Sequence, residues 1–303
     1  MVTKPGQPTL DQLRVFLEVV DSGSFAGAAR KLRRATSVVS YAIANLEAQL
    51  GVDLFEREAT QRPRLTDAGR AVLADVHTVT TSVESLRAKV AGLTQGLEAE
   101  LHVVFDVMYP GKTAVEILKA FRKEFPTVTL YLNVEALGAV THMILARSAT
   151  IGVSGPLVLD TGAVQLERIA VGAVRVAAVA APDHPLALAG RNPPGAGRDH
   201  VQLVLTDRSE LSKGRDFGVS ARQTWRLADL SAKLTLLRNG LGWGTMPLPS
   251  VADDLASGRL VRLDMPEYAE LEYALTVIYR TDTPPGPAAR WMIDRLRAPL
   301  LPT

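Results

Sequence analysis

The chain opens with three short apolar stripes at helical spacing. Leu13, Phe16, Leu17 and Val20 recur at steps of three and four and predict a first helix with one buried face. Thr9 and Gln12 stand ahead of it at the spacing of a capping box, and Gly23 ends it. Ser24 is the expected cap of a second helix, with Phe25, Ala28, Ala29 and Leu32 as its buried stripe. Its alanines are small enough for two helices to approach closely. Ser37 is the expected cap of a third helix whose core face is Val39, Ile43, Leu46 and Leu50. Turning that helix over exposes Ser37, Ser40, Tyr41, Ala44 and Ala48. Helices of this length and spacing predict a helix-turn-helix.

A fourth stripe is longer. Val72, Val76, Val79, Val83, Leu86, Val90 and Leu93 alternate steps of four and three, which is a heptad seam across about three repeats. Thr66 caps its start, Asp67 suits the helix dipole, and Gly92 and Gly96 mark its end. Thr80, Thr81, Glu84, Arg87 and Lys89 make the opposite face polar. A partner helix from a second copy explains such a seam, and valine alternating with leucine favours two strands.

Beyond Leu97 strands and helices alternate. Leu101–Asp106 predicts a strand and Val115–Phe125 a helix ended by Pro126. Val128, Leu130, Leu132 and Val134 predict a strand with one buried face, and Ala173–Ala180 and Val201–Leu205 predict buried parallel strands. Leu227–Asn239 reads as a helix closed by Gly240, Met246 falls in the next strand, Leu275–Tyr279 is a late strand, and Pro287–Arg297 is a final helix. The alternation implies α/β layers.

Charge changes the picture locally. The net charge is only +2 over 303 residues, yet Arg30, Lys31, Arg33 and Arg34 cluster just before the third helix. Arg57, Arg62 and Arg64 follow on a Pro-containing loop with the place of a wing. Such clusters suit phosphates at a groove edge. A recognition helix presents its N-terminal residues to base edges, so the expected readers are Thr36, Ser37, Ser40 and Tyr41, with Asn45 further along.

Residues 10–69 resemble, nearly end to end, the DNA-binding domain of LysR-type transcriptional regulators. The motifs Phe121-x-x-x-Phe125-Pro126 and Gly240-Leu241-Gly242-Trp243-Gly244-x-x-Pro247 extend the resemblance over the rest of the chain. It implies an α+β multidomain protein. A winged helix-turn-helix occupies about 8–66, a dimerising linker helix 67–96, and an effector-binding domain 97–303 built like a periplasmic binding protein. Lobe one of that domain takes about 97–166 and 268–303, and lobe two 167–267. The implied partners are double-stranded DNA, a small-molecule effector, and further copies in a homodimer or homotetramer. Two departures bear on specificity: Tyr41 and Thr36 stand where the family often has arginine and glutamine, and neither makes those residues' bidentate base contacts.

In such a fold the ligand sits at the carboxyl ends of strands. That places it near Asp106, Met108 and Tyr109, near Ser154, near Thr206 and Asp207, and near Gly244 and Thr245. The family often has a hydroxyl near Met108 to hold a carboxylate. Here that place is apolar, so a carboxylate held by hydroxyls is disfavoured.

Other chemistry finds little support. Cysteine is absent, the five histidines lack metal-ligand spacing, and no GxSxG elbow occurs. The GLGWG run lacks the ending of a phosphate loop. No catalytic residue, cofactor or metal is expected. No apolar run spans a bilayer and the N-terminus does not read as a signal peptide, so a soluble cytoplasmic protein is expected. A solute-binding protein without a regulatory role is the alternative that the C-terminal half alone would allow.

Overall fold

A computed structural model of the chain describes residues 6–56, 63–94, 96–157, 161–162, 164–206, 209–212, 217–269 and 271–298. It divides into two compact units, Met1–Ala91 and Gly92–Thr303.

The first unit holds α1 (Leu10–Ser22), α2 (Phe25–Leu32), α3 (Thr36–Leu50) and most of α4 (Asp67–Thr94). Thr9 and Gln12 close the capping box at the start of α1, and Gly23 ends it in the left-handed conformation. Ser24 Oγ accepts the Gly27 amide at 2.9 Å and starts α2. Val15, Phe16 and Val19 are the deepest residues of α1, whereas Leu13, Leu17 and Val20 lie half-buried beside them. The helix is apolar over more than one stripe, and its packing selects a different centre from the expected one. In α2 only the small Gly27, Ala28 and Ala29 are fully buried. The third helix starts at Thr36 behind Ala35, which offers no side-chain bond, so Ser37 is not the cap. Val39, Ile43 and Leu46 are buried as expected, but Leu50 at the helix end is exposed.

Phe55 completes this core. Its ring meets those of Phe16 and Phe25, each at 5.6 Å between centroids. A bridge between Phe55 and Leu65 closes the base of the loop that follows α3. Glu47 Oε1 accepts the amides of Leu54 and Phe55 at 2.7 and 3.1 Å, tying that base to α3. Thr66 Oγ1 accepts the Gly69 amide at 3.0 Å and donates to the Asp53 carbonyl at 2.6 Å. Gly69 is buried against the Leu54 carbonyl, where a Cβ would collide with it.

The second unit contains, in order, β1 (Glu100–Asp106), α5 (Gly111–Glu124), β2 (Thr129–Glu135), α6 (Gly138–Leu145), β3 (Ile151–Ser154), β4 (Leu166–Ala180) and α7 (Pro185–Leu188). There follow β5 (Gln202–Leu205), β6 (Thr224–Leu227), α8 (Leu230–Arg238), β7 (Gly244–Pro247), α9 (Leu248–Ala256), β8 (Val261–Arg262), β9 (Leu271–Arg280) and α10 (Pro287–Leu296). The main sheet runs β2-β1-β3-β9-β4-β7, with β8 also on β4, and β5 pairs with β6 separately. Parallel pairing holds β1 to β2 and β3, while β9, β4, β7 and β8 pair antiparallel.

Three expectations change here. Ala173–Ala180 lies in a 15-residue antiparallel strand, because an apolar run reports burial and not direction. Leu132 and Val134 are exposed, since β2 is an edge strand paired only with β1. The helix read as starting at Leu227 begins at Leu230, where Asp229 Oδ1 accepts the Ala232 amide at 2.6 Å and sets the start.

Two cores divide along β4. Val171 and Val174 pack with Leu101, Phe105, Ile151 and Met292, while Ala177 and Val179 pack with Leu203, Leu237 and Met246. The chain returns to the first core at its end: Glu98 accepts the amides of Ala288 and Ala289 at the start of α10, at 3.0 and 3.1 Å.

Candidate nucleic-acid interface and ligand cavity

Burying Val39, Ile43 and Leu46 turns the opposite face of α3 outward. Thr36, Ser37, Ser40 and Tyr41 are all exposed along its first half, Tyr41 to 69%, and Asn45 is half-buried beyond them. Val38, which sequence reasoning passed over, is exposed among them. A helix start with open backbone amides and adjacent hydroxyls suits an anionic partner.

The basic residues divide by what they already hold. Arg30 is exposed at the end of α2. Arg33 takes a left-handed conformation with φ 54° and closes that helix. The Arg34 guanidinium grips Asp11 with two bonds of 2.7 and 2.8 Å, and that bond holds the Asp11 carboxyl below its ordinary value. Arg34 therefore braces α1 against the turn, a role its place in a basic cluster did not announce. Lys31 pairs with Glu18 at 2.9 Å. Arg64 is exposed, and its carbonyl accepts the Glu56 amide at the loop base. Arg57 and Arg62 lie outside the described residues.

The heptad seam splits in two. Val76 is buried, and Val72 half-buried, within the core of their own unit. Val79, Leu86, Val90 and Leu93 are exposed and Val83 half-buried. Thr80, expected on the polar outer face, is buried and donates to the Val76 carbonyl at 2.9 Å. The first turns of α4 thus serve the helix-turn-helix core, and the free stripe begins at Val79.

The second unit contains a cavity of about 240 Å³. Met108 and Thr245 line it. The other expected ligand residues that the structure describes are not among those lining it. Asp106 is buried and accepts the Met108 amide and the Tyr273 hydroxyl, each at 2.9 Å, and burial pushes its carboxyl up to about 6. Tyr109 is buried, its hydroxyl has no partner among the described residues, and burial raises it to about 12. Ser154 is buried and donates to the Gly155 carbonyl at 3.3 Å. Thr206 follows β5 directly, its amide bonded to the Leu227 carbonyl. Gly244 is a close-approach position: a Cβ there would stand 2.6 Å from the Leu203 carbonyl and 3.0 Å from Lys233 Cε. Asp207 lies outside the described residues.

Lys233, Tyr273 and Gln202 also line this cavity and were missed. Lys233 carries the one signal that could have found it. It falls three residues after Leu230 and four before Leu237, on the buried stripe of α8. The Gln202 side chain is already engaged by Gly218, Ser220 and Ala221. Arg175 and Arg262 line a neighbouring opening of about 600 Å³. Among the described residues no group of acidic, histidine or cysteine side chains could hold a metal, and no helix is long and apolar enough to cross a membrane.

A helix-turn-helix with an outward polar helix, followed by a layered α/β unit with a ligand-sized cavity, defines a DNA-binding transcriptional regulator. Two family profiles match. One, described as a bacterial regulatory helix-turn-helix protein of the lysR family, covers residues 10–70, and the LysR substrate binding domain covers residues 94–300. The chain belongs to the LysR family. It is similar to the HTH-type transcriptional regulator AceR of Acinetobacter baumannii, 28% identical over 302 residues that span 95% of this chain and 96% of AceR. Similarity to the probable HTH-type transcriptional regulator YhaJ of Escherichia coli K12 is also 28%, over 305 residues and 95% of each chain. Full-length OxyR C199D from Pseudomonas aeruginosa is a likeness of fold, 18% identical with a TM-score of 0.51, covering 95% of this chain and 99% of that one. The protein is a DNA-binding regulator with an effector-sensing domain. A solute-binding protein without a regulatory role does not account for the match over residues 10–70.

Proposed function

We propose that the chain works as a cytoplasmic homodimer, or a pair of homodimers, that reads two half-sites and carries no catalytic, cofactor or metal chemistry. Thr36, Ser37, Ser40 and Tyr41 face base edges in the major groove, with Asn45 at the far end of the contact. Arg30 and Arg64 contact phosphates, together with Arg57 and Arg62 of the wing. Arg34 positions the turn through Asp11. The observation that carries this reading is the exposed polar half of α3 over buried Val39, Ile43 and Leu46. The stripe of exposed Val79, Leu86, Val90 and Leu93 with half-buried Val83 joins two copies, with Val72 and Val76 kept for each copy's own core.

The division into residues 8–66, 67–96 and 97–303 follows from these roles, with the passage between lobes inside β4 and β9. A ligand that binds one lobe arrangement better shifts the dimer's grip on DNA by that difference in affinity. Replacing Arg30 and Arg64 with alanine should weaken binding to any duplex and flatten its salt dependence. An unchanged slope of log affinity against log salt would refute the phosphate assignment.

A further inference from the structure

Lys233 is the buried charge that the regulator reading leaves unexplained. It sits on α8 with 1% of its surface exposed. Its Nζ donates to the Thr245 carbonyl at 2.8 Å. An ammonium has three donors, and that carbonyl uses one. Among the described residues no carboxylate is paired with it, and Glu272, on the wall of the same cavity, is exposed. Burial pushes the Lys233 amine down to about 8. A desolvated ammonium without a counter-charge costs several kcal/mol even after relaxation.

The rest of the wall does not relieve it. Met108, Leu203, Phe217 and Leu271 are apolar, and the Tyr273 hydroxyl is already given to Asp106. Gly244 leaves the room that Lys233 needs, since a Cβ there would stand 3.0 Å from its Cε. The cavity therefore joins an apolar wall to one under-satisfied cationic donor. Its volume of about 240 Å³ exceeds the ~150 Å³ of a dry cavity known to admit benzene, which sets the scale of the occupant at about one ring.

We infer that this cavity binds a small organic anion, an acid group on an apolar body of about one ring, with the acid against Lys233 Nζ and the body against Met108, Phe217 and Leu271. This rests on the reading of the second unit as the ligand sensor and names the class of its ligand. It also replaces the hydroxyls that the sequence lacks near Met108 with an ammonium as the anchor.

The test uses the full chain and a panel of monocarboxylates from acetate to benzoate and naphthoate, each against its neutral amide, by titration calorimetry at pH 7. At least one acid should bind saturably, one per chain, ~10-fold or more tighter than its amide, and Lys233→Met should remove that preference. In wild-type protein with 13C-labelled lysine, the Lys233 Cε titration midpoint should move upward when that acid is bound. Unliganded Lys233→Met should melt at the same or a higher temperature, because an uncompensated charge has been removed.

Acids and amides binding alike across the panel, or no binding at all, would overturn the inference. So would an acid preference that survives Lys233→Met and disappears with Arg175→Ala or Arg262→Ala, which would place the anion in the neighbouring opening. A clear loss of stability in Lys233→Met would show that the ammonium is compensated within the chain, again against the inference. Salt-sensitive DNA binding of the unliganded protein separates the two readings. Its presence without acid preference defeats only the anion site, and its absence defeats the regulator.

Discussion

Asp106→Asn should abolish one specific component of the protein's pH-dependent stability. The folded carboxyl is surrounded by the Met108, Gly155 and Leu137 amides and the Tyr273 hydroxyl, but burial outweighs them and raises it from 3.8 to about 6. Each unit is worth ~1.4 kcal/mol, so the difference of about two units amounts to ~3 kcal/mol. The unfolded carboxyl ionises near its ordinary value while the folded one keeps its proton to about 6. Between these values the folded state binds one proton more, so this group makes stability fall as pH rises, with a constant penalty above about 6.

Asparagine has no such window. Its amide can accept from Met108 but not from Tyr273, a cost that does not vary with pH. Relative to wild type, the variant should therefore gain ~3 kcal/mol between pH 3.5 and pH 7. Urea unfolding followed by tryptophan fluorescence reads this unit alone, because Trp225, Trp243 and Trp291 all lie in it. The Asp254 carboxyl, held low by bonds to Arg238 and Arg259, gives wild type an opposing trend that cancels in the difference. Parallel stability curves across the range would refute the assignment of a buried, proton-holding Asp106.

Three further outcomes are expected. Ser40→Ala or Tyr41→Ala should weaken binding to a specific site more than to random duplex, by ~1–3 kcal/mol for a true base contact; equal losses in a competition gel shift would remove them as readers. Leu86→Glu should dissociate the dimer, since Leu86 is 61% exposed in the single chain and its loss leaves each unit's core intact; unchanged mass by sedimentation would sink the seam. Gly69→Ala should destabilise the first unit by ~1–3 kcal/mol, because its Cβ meets first the Leu54 backbone carbonyl, which cannot swing aside as the nearby Leu65 side chain can; an unchanged melt of that unit by hydrogen exchange would contradict that.

The helix-turn-helix was legible because its signals are local. Thr9 with Gln12, Gly23 and Ser24 each act within four residues, and all three stand where they were expected. Tertiary partners were not legible. Glu47 reaches amides seven and eight residues on, and Arg34 reaches back 23 residues to Asp11. An apolar stripe cannot say whose core it enters: Val76 enters its own unit's core and Leu86 is exposed.

Strand direction was illegible for the same reason, and Ala173–Ala180 turned out antiparallel. Of the expected ligand residues, Met108, two positions past the end of β1, and Thr245, inside β7, line the cavity. The wall also takes Lys233 from a helix, Val176 from within β4 and Leu271, Glu272 and Tyr273 from the start of β9, which carboxyl strand ends do not predict. Lys233 escaped because a lysine on an amphipathic helix is ordinarily solvated.

Sequence-specific recognition of duplex DNA by α3 is what the rest of the proposed function depends on. Its most direct test is to incubate the purified chain with sheared genomic DNA and excess random competitor, then sequence the bound fragments. A small set of fragments should be recovered, sharing an inverted repeat whose half-sites lie one helical turn apart or a multiple of it, and lost when Tyr41 and Ser40 are replaced. Fragments recovered in proportion to their abundance, with the same result from the doubly substituted protein, would contradict it.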